Sequence, residues 1–125
     1  MTLPYGERVL EHFRRPRNHR TLERPTVTRD GYNPLCGDRV RIEMEVDATV
    51  IRAAAFTANA CAICTASASL LTERVTGLSV SQVNGITDDD ILASLDAELP
   101  PARLSCALLP MRTLRDALSE LRIGA

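Results

Sequence analysis

Four cysteines carry the chemistry this chain can do: Cys36, Cys61, Cys64 and Cys106. Thiols pair as disulfides, act in redox or sulfur chemistry, or hold a soft metal. The opening segment MTLPYGERVLEHFRR has no apolar run fit for a signal-peptide core. The expected setting is therefore the reducing cytoplasm, where cysteines serve as thiols, ligands or nucleophiles rather than disulfides. No stretch approaches the roughly eighteen apolar residues of a membrane helix, so no membrane role is expected.

Each cysteine has a distinct context. Cys36 lies in Asn33-Pro34-Leu35-Cys36-Gly37-Asp38. Proline and glycine there let the backbone approach a bound atom, and Asp38 can present a carboxylate to the same point. The plainer alternative is an Asx-type turn beside a buried thiol. Cys61 and Cys64 form a CxxC across a strand-to-helix transition. Helix amides and the macrodipole favour thiolates, so both sulfurs are expected to be more acidic than free cysteine and able to reach one metal. A thioredoxin-type redox role would need a βαβ context, whereas an antiparallel meander precedes this motif. An inert, buried Cys64 is the alternative. Cys106 lies about 200° around a helix from Leu104, off the apolar stripe described below. Three cysteines at junctions between elements point to one soft-metal site, for zinc, copper(I) or an iron–sulfur cluster.

Other chemistries are excluded by composition. All fifteen basic residues are arginine, which removes Schiff-base lysines and the P-loop. Only His12 and His19 are present, and their spacing fits neither HExxH zinc sites nor two-histidine fingers.

The elements that must position the cysteines are legible from periodicity. At 125 residues, 45% hydrophobic and 25% charged, the chain reads as a single domain, 1–125. Residues 4–15 read as a helix with Pro4 in its first turn, Tyr5, Val9 and Phe13 at steps of four, and Pro16 ending it. Thr26-Val27-Thr28 suits a short edge strand. Residues 39–47 alternate, with Val40, Ile42, Met44 and Val46 opposite Arg39, Arg41, Glu43 and Glu45, and Val50 to Thr57 return after a turn. A helix follows over 62–76, with Gly77 as its C-terminal cap. Val80 to Val83 form a short turn, and Thr87 with Asp90 make a capping box for a helix through Leu95. The last helix carries Leu104, Leu108, Met111, Leu114, Leu118 and Leu121 on one stripe; Pro110 either starts it or kinks it. The fold class is α+β: a small three-stranded antiparallel sheet with helices packed on it and a long C-terminal helix.

Charge is uneven although the net value is −1. Residues 1–30 hold seven arginines against four acids, and residues 81–125 hold four against seven. Arg14, Arg15, Arg17, Arg20 and Arg24 form a basic cluster, either a solvated face or a dock for an acidic protein. Interleaved aromatics are few (Tyr5, Phe13), so nucleic acid is not the expected partner.

NPLCGD (33–38), CAICTASASLLTERVTG (61–77), LPPAR (99–103) and the following Cys106-Ala-Leu-Leu resemble the IscU/NifU-type iron–sulfur cluster assembly scaffolds, as does Pro16-Arg17-Asn18 after the first helix. The similarity spans about residues 5–122. It implies a scaffold that takes sulfur from a cysteine desulfurase and iron from a donor, builds a labile 2Fe–2S cluster, and passes it to apo-proteins. The implied ligands are Cys36, Asp38, Cys61 and Cys106, with Cys61 and Cys106 as sulfur acceptors. One hard carboxylate among three thiolates weakens the site enough for release. Leu99, Pro100, Pro101, Ala102 and Arg103 match a segment that in the family is recognised by a DnaK-type chaperone acting with a co-chaperone; a helix-starting proline pair is the plainer reading. Housekeeping members carry histidine just before the third cysteine, where this chain has Ser105. A SufU-like branch, a zinc-bound persulfide acceptor, also lacks that histidine but has an insertion that the 45-residue step from Cys61 to Cys106 excludes. Cys64 is extra to both patterns; it either takes the missing ligand position or accepts a second sulfur. Beyond scaffold and sulfur acceptor, a protein retaining a stable cluster or metal is the third reading.

Overall fold

The strand that alternates most cleanly becomes the middle of the sheet. In the computed structural model, which describes residues 6–121, β2 (Asp38–Asp47) lies between β1 (Val27–Asn33) and β3 (Val50–Asn59). Both neighbours run antiparallel to it, in the order β1-β2-β3. Val40, Ile42 and Met44 are buried, while Arg39, Arg41 and Glu45 are exposed, as the period-two pattern requires. Glu43 breaks the pattern. It is buried because its carboxylate accepts the Leu22 N–H at 3.0 Å. The chain from His19, bridged to Phe56 of β3, passes Glu43 of β2 on its way to β1 and so straps the sheet's outer face.

β1 is longer than the short strand expected at Thr26-Val27-Thr28. Its ladder with β2 runs from Val27↔Met44 to Asn33↔Asp38 through Asp30 and Gly31, residues of poor strand propensity. Packing explains the override. A Cβ at Gly31 would lie 1.9 Å from Thr113 Oγ1 of the last helix, so glycine alone admits the close approach of strand and helix.

α1 (Gly6–Arg14) buries Val9 and His12, whereas Phe13, expected inward, is half exposed. Pro4 and Tyr5 lie outside the described residues. The inward face follows His12 because its Nδ1 meets Ser69 Oγ of α2 at 2.7 Å. α2 (Ala62–Val75) is buried along most of its length and ends at Gly77, whose φ of 91° suits a glycine cap. α3 (Val80–Asn84) and α4 (Asp88–Ser94) start with capping boxes, Ser79 with Gln82 and Thr87 with Asp90.

α5 (Pro101–Ser119) runs unbroken through Pro110, which has no N–H for the Cys106 carbonyl. Met111, Leu114 and Leu118 are buried as the stripe predicts, but Leu104 is exposed and Leu108 only half-buried. In the first half the inward face is instead Cys106, Ala107, Leu109 and Pro110. The rotation follows α2, whose Ser67 hydroxyl donates to the Ala107 carbonyl at 2.6 Å. Cys106 is therefore on the buried face and inside a helix, not off the stripe at a junction. Phe56, Ile42, Met44, Ile51, Leu71, Met111 and Leu114 fill the space between sheet and helices. Each such side chain contributes about 1.5–3 kcal/mol on burial.

Candidate metal centre

Between β1 and β2 the chain turns through the NPLCGD segment, and Asn33 organises it. Its Oδ1 accepts the Leu35 N–H at 3.0 Å and its carbonyl accepts the Gly37 N–H at 2.8 Å. Gly37 sits at φ 76°, in the left-handed region that glycine tolerates. The segment is an Asx turn, but its thiol is not buried: the turn delivers Cys36, partly exposed, beside Asp38, turned inward. Asn33 is the residue that sequence reasoning passed over, although Asn-Pro before a cysteine and glycine is a turn signal.

The sulfur of Cys36 meets that of Cys106 at 3.1 Å. Ligand atoms of Cys36, Asp38 and Cys106 all lie within 4.8 Å of one another. Asp38 Oδ1 accepts the Cys61 N–H at 3.0 Å, while Asp38 Oδ2 is buried with no hydrogen-bond partner. Leaving such an oxygen unsatisfied costs about 1–3 kcal/mol or more for a charged group. Burial pushes the Asp38 carboxyl up, but the adjoining Cys36 and Cys61 thiols and the Cys61 amide outweigh it, so it stays below the usual carboxylate value. An ionised carboxylate with a bare, buried lone pair beside two soft sulfurs is a donor set suited to zinc or iron.

Cys61 and Cys64 behave differently from expectation. Cys61 is the N-cap of α2, and its sulfur accepts the Cys64 N–H at 3.5 Å. Burial nonetheless pushes the Cys61 thiol up, against the downward pull of the Cys64 amide. Cys64 points into the core, fully buried, and burial raises its thiol strongly. Burial and the Cys36 contact push the Cys106 thiol up to about 12. Desolvation thus outweighs the helix terminus, and the expected acidified thiols are corrected: Cys61 and Cys64, like Cys106, are protonated without metal. Neither Cys61 nor Cys64 joins the 4.8 Å group among the described residues. Cys61 remains at its edge through its amide bond to Asp38.

Ser105 precedes Cys106 and accepts a hydrogen bond from Asn33 Nδ2 at 3.0 Å. Of the LPPAR segment, Pro100 caps α5 and Pro101 is its first residue, with Pro100, Pro101 and Ala102 exposed and Leu99 and Arg103 half-buried. The proline pair therefore does start the helix. In the basic cluster, Arg15 and Arg17 are both engaged by Glu11 at 3.4 Å, while Arg14, Arg20 and Arg24 are exposed.

The chain is similar along most of its length to characterised proteins. It is 31% identical to the zinc-dependent sulfurtransferase SufU of Bacillus subtilis, over 93% of this chain and 90% of that one. It is also 31% identical to the iron–sulfur cluster assembly scaffold protein IscU of Haemophilus influenzae, over 94% of this chain and 95% of that protein. Among solved structures, the N-terminal part of a NifU-like protein from Brucella abortus superposes with a TM-score of 0.80 at 20% identity, over 98% of this chain and 96% of that one. That likeness establishes the three-stranded, five-helix fold. Among the described residues no helix is long and apolar enough to cross a membrane. Fold and sequence meet in one assignment: matched from residue 4 to residue 123, the chain belongs to the NifU-like N-terminal domain family.

Proposed function

We propose that the protein is a scaffold for iron–sulfur cluster assembly. The observation that carries this reading is the buried, unpartnered Asp38 Oδ2 set among the sulfurs of Cys36 and Cys106. Cys36, Asp38 and Cys106 hold the metal, and Cys61 completes the set from the start of α2. The cargo is a labile 2Fe–2S cluster, built from iron and from sulfur received from a cysteine desulfurase, then given to apo-acceptor proteins. Cys61 is the better-placed sulfur acceptor, because it is partly exposed whereas Cys106 is fully buried. Leu35, 87% exposed beside Cys36, gives the desulfurase an apolar contact at the site's rim. The exposed Pro100, Pro101 and Ala102 support recognition of this segment by a DnaK-type chaperone and its co-chaperone.

A second reading is a SufU-like sulfurtransferase with resident zinc. It is favoured by the compactness of the Cys36, Asp38 and Cys106 donors, which suit one ion. Bound zinc would hold these thiols as thiolates at neutral pH. Anaerobic purification separates the two. Brown protein whose visible absorption passes to apo-ferredoxin supports the scaffold. Colourless protein with stoichiometric zinc that stimulates a cysteine desulfurase overturns it in favour of the sulfurtransferase.

A further inference from the structure

The metal donors come from two segments far apart in the chain, the β1–β2 turn and α5. Besides the thiol contact, a side-chain hydrogen bond joins them: Asn33 Nδ2 to Ser105 Oγ, 3.0 Å. Asn33 spends three of its polar groups on this corner. Its Oδ1 holds the Leu35 N–H, its carbonyl holds the Gly37 N–H, and its Nδ2 reaches α5. It is only 5% exposed and pairs across the ladder with Asp38. Cys36 thus hangs from Asn33 on one side, and Cys106 follows Ser105 on the other.

We propose that Ser105 and Asn33 form a clamp that sets the Cys36–Cys106 spacing before metal arrives, making Ser105 a positioning residue rather than a substitute ligand. The hydroxyl is engaged by Asn33, and a serine oxygen does not offer the ligand that an imidazole here would. It also relieves Cys64 of replacing a missing ligand, because that sulfur is committed to the core. The proposal rests on the metal-binding reading above. Its physical content is pre-organisation: a turn already held at the right distance loses less freedom when an ion binds.

The test uses the full chain, cobalt(II) as the probe, and two readouts. Cobalt affinity is measured by competition with a chromophoric chelator, and the intensity of the thiolate-to-cobalt band reports sulfur ligation. Amide hydrogen exchange at Leu35, in metal-free protein, reports the turn. Ser105→Ala is expected to weaken cobalt binding about five-fold, the worth of one neutral hydrogen bond, and to speed Leu35 exchange by a similar factor. Ser105→Thr, which keeps the hydroxyl, restores both. Adding Ser105→Ala to Asn33→Ala costs nothing further, since the two act as one unit. Unchanged Leu35 exchange in folded Ser105→Ala protein overturns the clamp. Faster exchange with unchanged cobalt affinity overturns its role in presetting the site. Wild-type protein that takes up no cobalt through sulfur overturns the metal-binding reading instead, while the exchange measurement still decides whether the clamp exists.

Discussion

The two ends of the sheet are built on opposite terms. At the β2–β3 turn, backbone groups find backbone partners: Ile51 N–H to the Leu78 carbonyl, Gly77 N–H to the Ile51 carbonyl, and Val80 N–H to the Thr49 carbonyl. At the opposite end, the ladder stops at Asn33↔Asp38, a carboxylate oxygen is left bare, and two sulfurs press together at 3.1 Å. The helix starts repeat the contrast. α3 and α4 are closed by reciprocal capping boxes, whereas α2 begins on a sulfur that accepts its amide at 3.5 Å. One end closes its polar groups on one another, and the other leaves donor atoms open.

The contrast can be broken at either end. The largest effect belongs to the closed end. Ile51→Ala should cost about 2–5 kcal/mol in denaturant unfolding, as for a fully buried isoleucine, yet leave metal affinity per folded molecule unchanged. Asp38→Ala should do the reverse. Metal retention falls roughly a hundred-fold or more, beyond what loss of a supporting group costs, while the metal-free melting temperature hardly moves because removing the unsatisfied oxygen offsets the lost Cys61 N–H bond. A large loss of metal-free stability in that variant would show that the active end also holds the fold. Next come the caps. Thr87→Ala should cost about 1 kcal/mol, and Cys61→Ala in metal-free protein clearly less, as thermal melts of both would show.

The smallest effect lies between the ends, at His12. Burial and then the Arg17 guanidinium hold its pKa below the ordinary imidazole value of 6.5. The unfolded chain therefore binds the proton more readily, so stability is full above pH 6.5 and declines as pH falls through the folded-state value. His12→Gln should flatten the melting temperature between pH 7.5 and pH 5, monitored by circular dichroism. A slope as steep as the wild type's would assign the acid sensitivity to other groups.

Much of this was written in local patterns. Strand alternation over 39–47, the Thr87–Asp90 box and Gly77 as a cap follow from nearest-neighbour physics and read directly. β1 did not, because its pairing through Asp30 and Gly31 depends on Thr113, 82 residues beyond Gly31, which no local propensity records. The inward turn of Cys106 was equally hidden, being set by Ser67 on another helix. The thiol pKa directions were misread for a related reason: a helix terminus is visible in sequence, but desolvation by packed neighbours is not. Asn33 could have been found, since its turn chemistry is local, though its bond to Ser105 could not.

Cys36 and Cys106 stand 70 residues apart in the chain. Any ion gripping both sulfurs is therefore also a topological staple, tying shut more than half of the polypeptide. A covalent link of that span removes chain entropy worth on the order of 4 kcal/mol from the unfolded ensemble, and a coordinate bond acts on the same loop. Cargo and chain entropy are then coupled. Handing over the cargo reopens the loop, so the emptied carrier loses that margin of stability at the moment of delivery, and a simple melting curve serves as a gauge of how much of the population is loaded.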